Sequence, residues 1–190
     1  MIILIFGISN VGKTSVGIKL AERLEYTFFD LDEEIKKEFQ MTLENFMNQY
    51  PWPHERYQVK GKILRKIITE NKDDMVVAVS PIYHARNFNS LLEWENIVAV
   101  ELQDTEEHIF QRLVFSDEND VIYKDDEYKE KHRDYYLKEL HEDIMYARRL
   151  FIKIKWKYFM DNKSVEEVAE EIFELLPQKI AEKKENSKKI

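Results

Sequence analysis

The sequence predicts an α/β fold, a three-layer α/β/α arrangement around a parallel, five-stranded sheet. Three observations predict it. Apolar, largely β-branched runs at residues 2–6, 75–79 and 97–100 suit strands buried on both faces. Amphipathic helical stretches separate them, the alternation expected when parallel strands are joined by crossovers. Three of the four glycines lie in the first seventeen residues, and two of them frame Gly7-Ile8-Ser9-Asn10-Val11-Gly12-Lys13-Thr14 between the first strand and the first helix.

That octet is G-x-x-x-x-G-K-[ST], a phosphate-binding loop, with a strand before it and a helix after it. The backbone amides of Gly7, Ser9, Asn10, Val11 and Gly12 are expected to point inward at phosphate oxygens, with Ser15 opening the helix whose positive end faces them. Lys13 supplies a mobile charge for the β- and γ-phosphates, and Thr14 a hydroxyl for Mg²⁺. The cofactors implied are ATP and Mg²⁺. Ser15 to Leu24 is amphipathic through Val16, Leu20 and Leu24. Gly17 inside it costs ~1 kcal/mol against alanine, which implies close packing there.

Tyr26 to Phe29 reads as the second strand, ending at Asp30-Leu31-Asp32. Glu33 to Tyr50 reads as charged helix, broken by Pro51-Trp52-Pro53, and Arg56 to Asn71 as a helix with Val59, Ile63, Leu64 and Ile67 on its apolar stripe. Ser90 to Trp94 is a short helix end before the strand that begins at Ile97. Thr105 opens a helix with Glu106 and Glu107 in its first turn. Ser116 to Lys131 is dominated by charge and reads as a flexible lid over about residues 116–132, against the alternative of a solvated surface loop. Arg133 to Lys155 is helical, and Trp156 to Met160 is the last strand. Ser164 and Glu167 form a capping box for a final helix with Val168, Ile172 and Leu175 or Leu176 inward. Pro177 is expected to end that helix, leaving a lysine-rich, disordered tail at 178–190 and a single domain at 1–177.

Composition narrows the function. A chain of 190 residues with 44% hydrophobic content builds one well-cored domain. The absence of cysteine excludes disulfides, thiolate metal sites and a thiol nucleophile, and fits a cytoplasmic protein. Met1 runs directly into the first strand, so no leader peptide is expected, and no apolar run is long enough to suggest a membrane partner. A net charge of −8 argues against nucleic-acid partners, though a local positive cradle can sit on an acidic body. The five histidines show no metal-ligand spacing.

In parallel sheets ligands bind beyond the carboxyl ends of the strands. The rule gathers Gly7 to Thr14, then Asp30 and Asp32, then Ser80 to Arg86 around one crevice. Asp30 and Asp32 have two kinds of work available there: holding Mg²⁺, or orienting the hydroxyl that attacks the γ-phosphate. The alternative is a strand-end turn with Asp32 as helix N-cap. No acid follows the strand ending at Val79-Ser80, which leaves Asp30 as the metal candidate.

Residues 7–32, read as G-x-x-x-x-G-K-T-S-x-G-x-x-L-A-x-x-L and then F-x-D-x-D, resemble the shikimate kinase family of small P-loop kinases. Weaker likeness continues at Arg56-x-x-Val59-x-x-x-Ile63, at Val98 to Leu113 with Arg112, at Arg148 thirteen residues before Asp161, and at Ser164 to Ile172. The resemblance implies a P-loop NTPase fold and phosphoryl transfer from ATP to a hydroxyl of a small metabolite, shikimate or a related acceptor. Lys13 and Asp32 would be catalytic, with Thr14 and Asp30 at the metal. Asp32 would contact the acceptor hydroxyl, Arg56 and Arg148 would hold a substrate carboxylate, and Arg112 would lie near adenine. Two segments depart from the family pattern. Ser80-Pro81-Ile82 stands where the family has three glycines, and the lid around Asp120-Val121-Ile122-Tyr123 has no arginine, with Lys124 and Arg133 the nearest cations. Two alternatives stand beside the kinase of a small metabolite: a nucleoside or nucleotide kinase, and an ATP-binding regulatory protein without turnover.

Overall fold

A computed structural model describes residues 1–82 and 90–187. Ile2–Phe6 (β1), with every residue buried, forms the centre of a five-stranded sheet. Thr27–Asp30 (β2), Met75–Ala78 (β3), Ile97–Gln103 (β4) and Trp156–Phe159 (β7) complete it in the order β2-β3-β1-β4-β7, every pair parallel. The three apolar runs are β1, β3 and β4, side by side at the centre, where both faces are covered and no polar alternation is possible.

Helix α1 (Lys13–Leu24) packs along the final helix α8 (Val165–Ser187), tied at its end by Arg23 to Glu170. Gly17 is needed there: a Cβ would lie 2.6 Å from Cε2 of Phe28 on β2. The charged stretch after β2 is two helices, α2 (Leu31–Phe39) and α3 (Leu43–Gln49), separated where Gln40 turns left-handed at φ 52°. Helix α4 (Pro53–Glu70) starts on Pro53, which needs no N–H partner in a first turn, so the proline pair opens this helix as well as closing the previous segment. Residues 90–92 are helical, as expected near Ser90, while Tyr83 to Arg86, also assigned to the crevice, lie outside the described residues.

Helix α5 (Glu106–Arg112) is capped by the Thr105 hydroxyl, which accepts from the His108 amide at 3.2 Å. The charged segment that follows is ordered into Phe115–Ser116 (β5), Ile122–Tyr123 (β6) and α6 (Asp126–Lys131), ahead of α7 (Arg133–Leu150). β5 and β6 pair as an antiparallel hairpin. Its support is aromatic, because the Phe115 ring packs on Tyr123, Tyr128 and Tyr136. The hairpin turn reaches across to α2 and α3, where the Asp120 carboxylate accepts from the Leu43 amide at 2.8 Å and lies 3.9 Å from Lys36.

The final helix corrects an expectation. Pro177 does not end it, and α8 continues to Ser187. A proline within a helix costs about 3 kcal/mol, so flanking contacts must hold it. Leu176 is buried before the proline, Ile180 packs on the core after it, and Lys183 donates to the carbonyls of Leu92 and Ile97. The capping box at its start is present, with the Glu167 carboxylate accepting from the Ser164 amide at 2.8 Å. Among the described residues no helix is long and apolar enough to cross a membrane.

Candidate active site

The carboxyl ends of β1, β2, β3 and β4 open on one edge of the sheet, with β1 at the point where the chain turns first toward β2 and later toward β4. The loop leaving β1 has its two glycines at φ 149° (Gly7) and 115° (Gly12), and Asn10 at φ 60°. Gly7 is also sterically fixed, since a Cβ would come within 2.8 Å of the Leu102 carbonyl oxygen. The loop therefore follows from glycine geometry at both ends. Lys13 closes it, with Nζ donating to the Ile8 carbonyl at 2.8 Å. Burial pulls the Lys13 ammonium down from its ordinary 10.5 to about 8; Asp32 and Asp30 oppose the fall and Lys60 adds to it. A lysine held out of water in an anion cradle is primed to gain from a phosphate partner.

Thr14 and Asp30 meet, the threonine hydroxyl donating to Asp30 Oδ2 at 2.7 Å. The other carboxylate oxygen accepts from the Asp32 amide at 2.9 Å. Asp30, not Asp32, is thus the N-cap of α2, because only the residue still in the extended strand conformation can reach that amide. A hydroxyl and a carboxylate oxygen side by side are a suitable partial shell for Mg²⁺, which characteristically takes one or two carboxylates and completes its sphere with phosphate and water. Among the described residues no group of three acidic or histidine side chains forms a closed metal site.

Asp32 has a partner that was not anticipated. Lys60 on α4 donates to Asp32 Oδ1 at 3.0 Å and to the Ser80 hydroxyl at 2.8 Å, with its side chain only 16% exposed. Ser80, the buried residue just after β3, thereby joins the ends of β2 and β3 through one ammonium. The sequence held a signal for it: Lys60 falls on the same face as Ile63, Leu64 and Ile67, and a charge on an apolar stripe needs a buried partner.

Each of the three arginines has contacts within the chain. The Arg56 guanidinium donates to the Tyr50 and Pro51 carbonyls, both at 2.9 Å, and braces the turn between α3 and α4. Arg112 donates to Asp104 Oδ2 at 2.6 Å, and His108 contacts the other oxygen at 2.6 Å. Burial works to raise the Asp104 carboxyl, but these hydrogen bonds outweigh it and hold it below the usual range. Arg148 is exposed on α7 beside a small cavity of about 60 Å³ under the loop, shared with Val11, Asp104 and Phe159. At the start of α7, Arg133 is paired with Glu107 and Glu130. Helix α7 turns Ala147 inward instead of an arginine.

A second cavity of about 150 Å³ lies on the other side of the loop. Ser9, Pro81, Tyr57 of α4, and Asp143 and Tyr146 of α7 contribute to its wall. The Tyr57 and Tyr146 hydroxyls are 3.4 Å apart. Burial, then the Tyr146 contact, pushes the Tyr57 phenol up to about 12.

Comparison with known proteins places these features in a family. The shikimate kinase family model matches residues 9–177. The pentafunctional AROM polypeptide of Schizosaccharomyces pombe is 30% identical over 139 residues, 68% of this chain but only 9% of that polypeptide. A shikimate kinase of Macrococcus caseolyticus is 30% identical over 121 residues, 64% of this chain and 67% of that one. The crystal structure of the Acinetobacter baumannii shikimate kinase in complex with shikimate superposes with a TM-score of 0.71 at 18% identity, covering 93% of each chain.

Proposed function

This chain belongs to the shikimate kinase family, and we propose that it transfers the γ-phosphoryl group of ATP to a hydroxyl of a small metabolite at the crevice between the phosphate loop and the ends of β2 and β3. The supporting observation is the meeting of Thr14 with Asp30 at 2.7 Å, which puts the phosphate loop and the acidic strand end in one site. The family is one of kinases that act on alcohols.

The loop amides and Lys13 bind the terminal phosphates, Lys13 exchanging its Ile8 carbonyl for phosphate oxygen. Mg²⁺, held by Thr14 and Asp30 together with phosphate oxygens, would neutralise charge on the transferring group. Asp32 is fixed through Oδ1 by Lys60, and its other oxygen is available to the acceptor. The acceptor hydroxyl oxygen bonds to the γ-phosphorus as the bond from that phosphorus to the bridging β,γ oxygen breaks. ADP leaves with the bridging oxygen, and the hydroxyl proton passes to Asp32 and then to solvent. Positioning and charge neutralisation supply the rate enhancement. The hairpin at residues 115–123, anchored through Asp120, acts as the lid.

An acceptor-dependent ADP-release assay with Mg·ATP tests this. Release that depends on a hydroxylated metabolite and vanishes in Lys13→Ala is the expected result. Release driven by nucleoside monophosphates would move the protein to the nucleotide kinases, and ATP binding with no release would make it a regulatory nucleotide binder.

A further inference from the structure

The cavity beside Ser9 borders the phosphate loop through Ile8 and Ser9 and the segment after β3 through Pro81. Its wall chemistry is unusual for a site meant to hold an acid. Asp143 shares the wall with Tyr57 and Tyr146, close enough for its charge to act on the Tyr57 phenol, and among the described residues no hydrogen bond or ion pair reaches it. Burial, reinforced by Glu139 and Glu142, raises its carboxyl above the usual range, as expected for an acid without a cation. The described cations nearby already have partners: Arg56 is held by the Tyr50 and Pro51 carbonyls, and Lys60 by Asp32 and Ser80. Arg148 lines the cavity on the other side of the loop. Lys13 belongs to the phosphates.

An acceptor carboxylate within about 5 Å of Asp143, which is exposed, would be disfavoured by roughly several-fold at the dielectric of water, rising to about a hundredfold as a bound acceptor encloses the pair. Hydroxyl groups suit the same wall. A carboxylate accepts from two hydroxyls, and two neutral phenols donate and accept between them. We propose, on the basis of the kinase reading above, that the acceptor is a hydroxyl-rich metabolite carrying no carboxylate or phosphate, held through its hydroxyls by Asp143, Tyr57 and Tyr146. An acceptor that also bears an ammonium group shares this chemistry and gains a charge partner in Asp143.

The test is a three-arm ADP-release assay on the full chain with Mg·ATP. One arm contains hydroxy acids (shikimate, D-gluconate), one uncharged polyols and sugars (myo-inositol, D-glucose), and one amino alcohols (D-glucosamine, ethanolamine). At least one acceptor from the second or third arm is expected to exceed shikimate in kcat/KM by tenfold or more, and the arm that wins identifies the uncharged or the ammonium form. For that acceptor, Asp143→Asn is expected to raise KM about tenfold with kcat changed far less. Tyr146→Phe, which keeps the ring, should raise KM several-fold. Release confined to the hydroxy-acid arm, or an unchanged KM in both variants, overturns the proposed acceptor class while leaving the kinase reading standing. Release in no arm, with ATP still bound, overturns both.

Discussion

At the scale of single residues, the site is an arrangement of charges that balance one another. Lys13 is the clearest case. Its folded value of about 8 lies below its ordinary 10.5, so between those two pH values the unfolded chain holds more protons than the folded one. Stability from this group therefore rises as pH climbs through that window, and below pH 8 the buried charge is a net cost. Lys13→Met is expected to raise the stability of the ligand-free protein at pH 7 by about 1–3 kcal/mol, a gain that shrinks toward pH 10, while abolishing ATP turnover. Thermal melts across pH, paired with an ADP assay, check both; a less stable variant at pH 7 would contradict the charge-burial account. Asp32→Asn keeps the shape but removes the charge that faces Lys60 and, in the proposed mechanism, the acceptor. It should lower kcat by about 10²–10⁴ and leave ATP binding nearly intact. Equal losses in both would reduce Asp32 to a structural role. The aspartates were legible because strand-end position and spacing fix them. The destinations of Arg56, Arg112 and Arg148 were not, because a long guanidinium side chain reaches any of several carbonyls or carboxylates and sequence spacing does not choose among them.

Among the elements, α1 meets β2 where Gly17 leaves room for the Phe28 ring. Gly17→Ala places a methyl 2.6 Å from the Phe28 ring and should cost about 1–3 kcal/mol by overpacking, although alanine is the better helix former. Denaturant unfolding that found the variant more stable would mean that β2 yields freely to α1. The hairpin of β5 and β6 is the element that sequence reading described least well. Its charged residues dominate the composition, while Phe115, Tyr123, Tyr128 and Tyr136, which hold it together, are spread over twenty-two positions and follow no single period. The same limit applies at α8. Proline is a sound stop signal from local energetics, but Ile180 and Lys183 hold the next turns by contacts that only the folded chain creates. Truncation after Pro177 is therefore expected to lower Tm by about 4–8 °C, a loss near 2 kcal/mol, and an unchanged melt would restore the tail to the disordered class.

For the whole molecule, the sheet order follows from three buried runs and the handed crossovers between them, and it brings the ends of β1, β2 and β3 to one edge without any help from the site residues. The positions of the loop, its flanking strand and helix, and the two aspartates could be read early for that reason, since all lie where backbone topology dictates. The cavity proposed for the acceptor could not, because its walls come from Tyr57, Pro81 and Asp143, far apart in the chain. The central claim is that the phosphate loop and the acidic end of β2 form one phosphoryl-transfer centre. A crystal structure with Mg²⁺ and a non-hydrolysable ATP analogue tests it most directly. The account predicts the γ-phosphate within hydrogen-bonding reach of Lys13, the metal beside Thr14 and Asp30, and Asp32 facing the phosphate from across the crevice. A nucleotide bound elsewhere, or both aspartates turned away from the terminal phosphate, would contradict it.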